Sequence, residues 1–187
     1  MGNNKQFIVC SVSGSGKTTQ VDRTIELCPF PLRKYITTTT REIRPEESGD
    51  EYHFLSVDKF NNLVDAGEMI EYSKVYGNWY GLSNLEVLRS TDSHSIGILD
   101  VQGAEKFKEM FPEATLIFIM PPDVDELKRR LLERNTNDDL NIDLRIKAID
   151  SEMEFSKKCD HIIKCDSFDN MVDDLLNNVI IPEIETN

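Results

Sequence analysis

The densest run of chemistry-bearing residues is Ser11-Val12-Ser13-Gly14-Ser15-Gly16-Lys17-Thr18, directly after the apolar stretch Phe7-Ile8-Val9-Cys10. A glycine-rich turn between a strand and a helix lets backbone amides face inward around phosphate groups, and the helix adds its positive N-terminal end. Ser13, Gly14, Ser15, Gly16, Lys17, Thr18 and Thr19 are the expected triphosphate-binding residues. In such a loop the lysine reaches the β- and γ-phosphates and the following hydroxyl binds Mg²⁺. The pattern asks for glycine at position 11, where this chain has Ser11. Asp100 ends the apolar run Ile96-Gly97-Ile98-Leu99. The carboxyl end of a parallel strand is where ligands gather in such sheets, so Asp100 is the second expected metal residue, through the water shell.

A second cluster is basic. Arg41 and Arg44 lie three apart in a polar loop, with Tyr52 and Tyr80 further on. Two guanidinium forks can grip one phosphate monoester while phenolic hydroxyls add donors. A third group is Arg130 and Arg134, at i and i+4 on one helix face, followed by Arg145 beyond an Asn/Asp-rich break.

The elements that must carry these residues follow from patterning. Phe7–Cys10, Tyr35–Thr40, Glu51–Leu55, Met69–Val75, Ile96–Val101, Thr115–Met120 and His161–Lys164 are predicted strands. Residues 17–27, 57–66, 104–110, 123–134, 142–157 and 167–180 are predicted helices. Ser56 is an expected N-cap, Gly67 a helix stop, and Ser83-Asn84-Leu85-Glu86 a capping box. Tyr76–Leu82, with two glycines, reads as a turn, and the tail after Ile181 is expected to fray. Short buried strands alternating with helices at both ends of the chain predict an α/β fold with a parallel sheet. The strand-rich middle reads as an insertion.

The 187 residues suit one domain with a real core. Net charge is −13, from 21 basic and 34 acidic residues, which argues against nucleic acid as the main partner. Cys10, Cys28, Cys159 and Cys165 show no C-x-x-C spacing and no zinc pattern. They are expected as reduced, mostly buried thiols. The start of the chain lacks the apolar segment of a signal peptide, and no apolar run is long enough for a membrane span. A soluble cytoplasmic protein with no membrane partner is expected, as monomer or homodimer. His53, His94 and His161 show no constellation around them.

Two segments decide the class: Thr37-Thr38-Thr39-Thr40-Arg41-Glu42-Ile43-Arg44-Pro45 leading to Tyr52-His53-Phe54, and Glu71 through Tyr76-Gly77-Asn78-Trp79-Tyr80-Gly81-Leu82-Ser83. With the phosphate loop and Asp100-Val101-Gln102-Gly103-Ala104, they make the chain resemble guanylate kinase from about Phe7 to Ile181. The resemblance implies a phosphate-loop parallel sheet flanked by helices, with core segments 5–33, 91–125 and 158–187. It also implies a strand-rich monophosphate-binding insertion at 34–90 and a helical lid at 126–157. It implies transfer of the ATP γ-phosphoryl group to GMP or dGMP, with Mg²⁺. Thr37, Arg41, Arg44, Tyr52, Glu71, Tyr80, Ser83 and Asp100 would bind the acceptor. Lys17, Arg41, Arg130, Arg134 and Arg145 would be catalytic. The chain departs from the family pattern at Ser11, Leu82, Ile98 and Cys165. Leu82 and Ile98 keep open a kinase for another or modified nucleoside monophosphate. A non-catalytic binding module of the same fold is the alternative of another class.

Overall fold

The computed structural model describes residues 4–12, 17–45, 47–90, 92–121, 123–125, 129, 139–164 and 167–186, the side chains of 139–146 excepted. Five strands form an all-parallel sheet: β1 (Gln6–Ser11), β2 (Leu32–Lys34), β7 (His94–Ile98), β8 (Thr115–Met120) and β9 (His161–Lys164), in the order β2-β7-β1-β8-β9. β1 and β8 are nearly continuous apolar runs because both faces of the sheet are covered. Successive side chains alternate between two cores. Ile8, Cys10, Leu116 and Phe118 face one way, packed with Ala104, Phe107 and Ile149. Phe7, Val9, Ile117 and Ile119 face the other, packed with Val21, Met171 and Leu175. The helices behind those contacts are α4 (Val101–Met110) and α5 (Asp139–Phe155) on the first face. On the second lie α1 (Lys17–Leu27) and a C-terminal rod of α6 (Phe168–Asp173), a π-helical turn (Asp174–Ile180) and α7 (Ile181–Glu185).

A second sheet has the order β4-β3-β6-β5, from β3 (Thr38–Thr39), β4 (His53–Phe54), β5 (Met69–Val75) and β6 (Asn78–Ser83). β3 pairs parallel with β4 and antiparallel with β6, which pairs antiparallel with β5. Helix α2 (Val57–Asp65) sits between β4 and β5, with Ser56 as its N-cap and Gly67 at φ +69° just past its end. Helix α3 (Asn84–Leu88) follows β6, and the Ser83 hydroxyl accepts from Glu86 N–H at 3.2 Å.

Four sequence expectations are corrected. The predicted strand Tyr35–Thr40 is divided between the two sheets. Tyr35 N–H still donates to Ile96 on the core sheet, Ile36 N–H turns to the Glu86 carboxylate, and Thr40 N–H donates to Trp79. The predicted turn Tyr76–Leu82 is mostly β6. Only Tyr76 and Gly77 turn, both at positive φ, as a tight hairpin requires. The core strand around residue 97 runs from His94 to Ile98, and α4 begins already at Val101 because Asp100 caps it. The tail does not fray before Glu185, because Glu183 is held by Lys5 at 3.3 Å and by His161 at 3.2 Å. His161 therefore does have partners, and His53 lies 3.8 Å from Glu86.

The predicted helix 123–134 falls mostly outside the described residues, as does Cys165. Among the other cysteines, Cys10 is buried, Cys28 and Cys159 are half-buried, and all three are free thiols. No helix of the described residues is long and apolar enough to cross a membrane.

Gly81 marks the tightest point of the second sheet. A Cβ there would stand 2.7 Å from the Glu71 carbonyl oxygen and 2.5 Å from Met69 Cε. The methionine can move and the backbone cannot. Gly81→Ala should therefore cost about 1–3 kcal/mol, read as a lower urea midpoint with an unchanged m-value.

Candidate active site

The core sheet reverses its strand order at β1, with β7 on one side and β8 on the other. A crevice opens at the carboxyl ends of strands at such a switch point, and β1 ends there at Ser11. Ser13, Gly14, Ser15 and Gly16 lie outside the described residues. Lys17 opens α1, followed by the exposed Thr18 and Thr19. Desolvation pushes the Lys17 ammonium below its ordinary pKa, while Cys10, Glu152 and Asp100 pull it back up.

The second sheet gathers residues expected on the acceptor side. Tyr80 is opposite Ser73 and Thr39, and Leu82 is opposite Glu71. Extending the β3–β6 register by one residue sets Thr37 opposite Leu82. Because side chains alternate along a strand, Thr37, Thr39, Tyr80, Leu82, Glu71 and Ser73 share one face. The other face carries Trp79, stacked on Phe60 at 6.0 Å and edge-on to Tyr72, so Trp79 packs the second sheet against α2.

Glu71 is 3% exposed, and its Oε2 has no hydrogen-bond partner among the described residues. Leu82 N–H supports the same carboxyl group. Burial raises the Glu71 pKa to about 8, the Asp100 carboxylate adds to the rise, and Lys106 and the Leu82 amide oppose it. The group lies against the first turn of α4, where a Cβ on Gly103 would meet Oε2 at 2.5 Å. Only a glycine admits the carboxyl group this close.

Asp100 turns one oxygen, Oδ1, to the N–H groups of Gln102 and Gly103 at 2.9 and 3.1 Å. Its Oδ2 accepts from the Ser73 hydroxyl at 2.5 Å. The expected metal residue is thus also the N-cap of α4 and a neighbour of Glu71. Oδ1 is filled by those two bonds, while Oδ2 keeps lone-pair capacity for a water hydrogen.

Arg41 lies on two rings, with its guanidinium carbon 5.4 Å from the Tyr52 centroid and 5.5 Å from that of Phe54. Its fork is taken by Glu47, at 2.9 Å from Nη1 to Oε2 and 2.7 Å from Nη2 to Oε1. Glu47 Oε2 also accepts from Arg44 N–H at 2.8 Å. The Arg44 guanidinium is 53% exposed and 3.9 Å from Glu47. Tyr52 and Tyr80 pack edge-to-face at 6.1 Å. Burial, then Tyr80, pushes the Tyr52 hydroxyl above its ordinary pKa, so it stays a donor.

The structure therefore brings together Arg41, Arg44, Tyr52 and Tyr80, and sets Glu71 beside Asp100. It does not bring Ser83 to them: the residue after Leu82 faces the other way, and its hydroxyl is used to cap α3. Arg130 and Arg134 lie outside the described residues, and so does the side chain of Arg145. Sequence reasoning missed Glu47, Ser73 and Gly103 as site residues. The i, i+6 spacing of Arg41 and Glu47 crosses a loop and carries no periodic signal. Ser73 and Gly103 matter only through contacts across the fold.

A parallel sheet with a helix-opening lysine at its switch point, joined to a second sheet that presents an arginine pair and a buried carboxylate, defines a phosphate-loop kinase fold. A solved shikimate kinase from Bacteroides thetaiotaomicron shares that fold, with a TM-score of 0.51 over 98% of this chain and 99% of that one, at 15% identity. A guanylate kinase crystal structure from Anaplasma phagocytophilum matches with a TM-score of 0.78 and 27% identity, covering 96% of this chain and 86% of that one. The guanylate kinase family model matches residues 3–180. The guanylate kinase of Geobacter metallireducens is 39% identical over 96% of this chain and 90% of its own. That of Salinibacter ruber is 36% identical over 96% and 97%. The chain belongs to the guanylate kinase family.

The raised pKa of Glu71 has a consequence for stability. The unfolded carboxyl ionises near its ordinary value of 4.5, whereas the folded one holds its proton to about 8. The native state thus binds more protons across that window, and stability falls as pH rises through it. Glu71→Gln should remove that fall. Melting curves from pH 5 to 9 should show the variant gaining on the wild type, by a few kcal/mol at the alkaline end, without ligand.

Proposed function

We propose that this protein transfers the γ-phosphoryl group of ATP to GMP or dGMP, giving ADP and the nucleoside diphosphate. One observation carries the reading: a buried Glu71 carboxyl group with one oxygen unpartnered among the described residues, on the same sheet face as Thr37 and Tyr80. Guanine offers two adjacent donors, N1–H and the 2-amino group, that would complete an ionised Glu71. Adenine offers neither and would leave it unpaired. Thr37 would donate to O6, and Asp100 would flank the 2-amino side.

The acceptor phosphate is read as lying on Arg41 and Arg44, with the hydroxyls of Tyr52 and Tyr80. The ATP phosphates would take the amides of residues 13–16 and the ammonium of Lys17. Segment 34–90 would serve as the acceptor-binding insertion and 126–157 as a lid bringing Arg130, Arg134 and Arg145 onto the transferring group. An acceptor phosphate oxygen attacks the γ-phosphorus, the bond to the β–γ bridging oxygen breaks, and its electron pair leaves with ADP. No covalent intermediate is required. Alignment and charge stabilisation by Lys17 and the arginines supply the catalysis. The hydroxyl of Thr18 and the lone pair left on Asp100 Oδ2 fit a hydrated Mg²⁺, which when bound would neutralise charge on the β- and γ-phosphates. The reduced thiols agree with a cytoplasmic setting.

A second acceptor reading rests on Leu82, fully buried beside Glu71 and without a hydroxyl. With Thr37 alone at O6, a purine altered at its 6-position would also be accepted.

An ADP-release assay across ribo- and deoxyribonucleoside monophosphates, with a 6-substituted purine included, tests both readings. GMP and dGMP should exceed AMP, CMP and UMP by at least ~10²-fold in kcat/KM. Glu71→Gln should remove ~10²–10⁴ of the GMP value. Because the form of Glu71 that accepts guanine is the anion, KM for GMP should fall as pH rises towards 8 and level off above it. Lys17→Ala should lower kcat by ~10²–10³. Equal turnover of AMP would overturn the guanine reading.

A further inference from the structure

An arginine presents five N–H donors in one plane, along an end-on edge formed by Nη1 and Nη2 and a side-on edge formed by Nη2 and Nε. In Arg41, Nη1 donates to the Glu42 carbonyl at 2.6 Å and to Glu47 Oε2 at 2.9 Å, which commits both its hydrogens. Nη2 commits one hydrogen to Glu47 Oε1 at 2.7 Å. Among the described residues, Nε–H and the second Nη2–H are left, and these two lie side by side on one edge. They match two oxygens of a phosphate monoester.

Glu47 is itself fixed. Its backbone N–H donates to the Arg44 carbonyl at 3.0 Å, and its Oε2 accepts from Arg44 N–H at 2.8 Å. The carboxylate thus closes a ring through the turn that carries Arg44. Both the Arg41 and Glu47 side chains are 13% exposed, and the Arg41 plane is backed by Tyr52 and Phe54. The pair is shielded and rigid, unlike a solvated surface ion pair.

We propose that Glu47 is the positioning residue of the acceptor-phosphate seat: it holds Arg41 by the end-on edge so that the side-on edge faces the incoming phosphate, beside Arg44. Glu47 makes no contact with the acceptor. It sets which donors the acceptor meets, and it spares the site the ordering of a free arginine side chain at each binding event. This inference rests on the reading of GMP or dGMP as acceptor.

Calorimetric titration of the full chain with GMP and with guanosine tests it, for wild type, Glu47→Ala, Arg41→Ala, the double variant and Glu47→Asp. Glu47→Ala should weaken GMP at least ~10-fold and leave guanosine unchanged, the latter also showing that the base pocket is folded. The double variant should bind GMP no more weakly than Arg41→Ala, since Glu47 acts through that arginine. Glu47→Asp, which keeps the charge, should recover part of the loss. In the ADP-release assay KM for GMP should rise while KM for ATP holds. Tighter GMP binding by Glu47→Ala would overturn the proposal, because the carboxylate would then be a competitor for the seat. Additive losses in the double variant would overturn it too. Wild type that binds guanosine but gains nothing from its phosphate overturns the proposal alone. Wild type that binds neither overturns the acceptor reading and the inference with it.

Discussion

A carboxyl group kept from water with one oxygen unmatched is costly, and the surroundings of Glu71 are arranged around that cost. Burial and the neighbouring Asp100 carboxylate hold it largely protonated near neutral pH. Its place against α4 exists because residue 103 has no side chain, and its strand can approach β6 because residue 81 has none. Asp100 can stand nearby because its own oxygens are engaged by the first turn of α4 and by Ser73. The group is stable in the empty protein mainly as the neutral acid. A ligand with two adjacent donors makes the anion favourable. On the proposed reading, recognition of guanine and ionisation of Glu71 are one event.

The same region joins the two sheets. Helix α4 packs on β1 of the core and on β5 of the insertion, so its N-terminus sits where both meet. A second buried carboxylate, Glu86, accepts from Ile36 N–H and lies 3.4 Å from Arg33 and 3.8 Å from His53. It stands where the chain leaves one sheet for the other. Two buried acids thus fix the second sheet at its root, one against the first turn of α4 and one against the crossing strand. The arginine pair sits further out, where Arg41 is steadied by aromatic rings and Glu47 rather than by the core.

Much of this was legible in the residues. The alternation of buried strands and helices predicted the parallel sheet, and with it the strand before Ser11 and the helix that opens at Lys17. Ser56 and Ser83 announced their helices, because a cap depends only on neighbours in sequence. The arginine pair and its tyrosines were visible as types and spacings. The errors cluster where long-range pairing overrides local preference. The two glycines in Tyr76–Leu82 suggested a turn, yet Gly81 is a strand residue chosen for close approach. The tail was expected to fray, yet Lys5 and His161, far away in sequence, hold it.

By itself the sequence determined the class of fold and the helix that opens at Lys17, and it placed the basic cluster and Glu71 among the candidates, because those are set by local periodicity and by side-chain chemistry. Tertiary structure alone decided that Ser83 faces away from Glu71, that Asp100 caps a helix while leaning on Ser73, and that Glu47 claims one edge of Arg41. Such relations are fixed by strand register and by which backbones can approach closely, and neither is encoded at any one position of the chain.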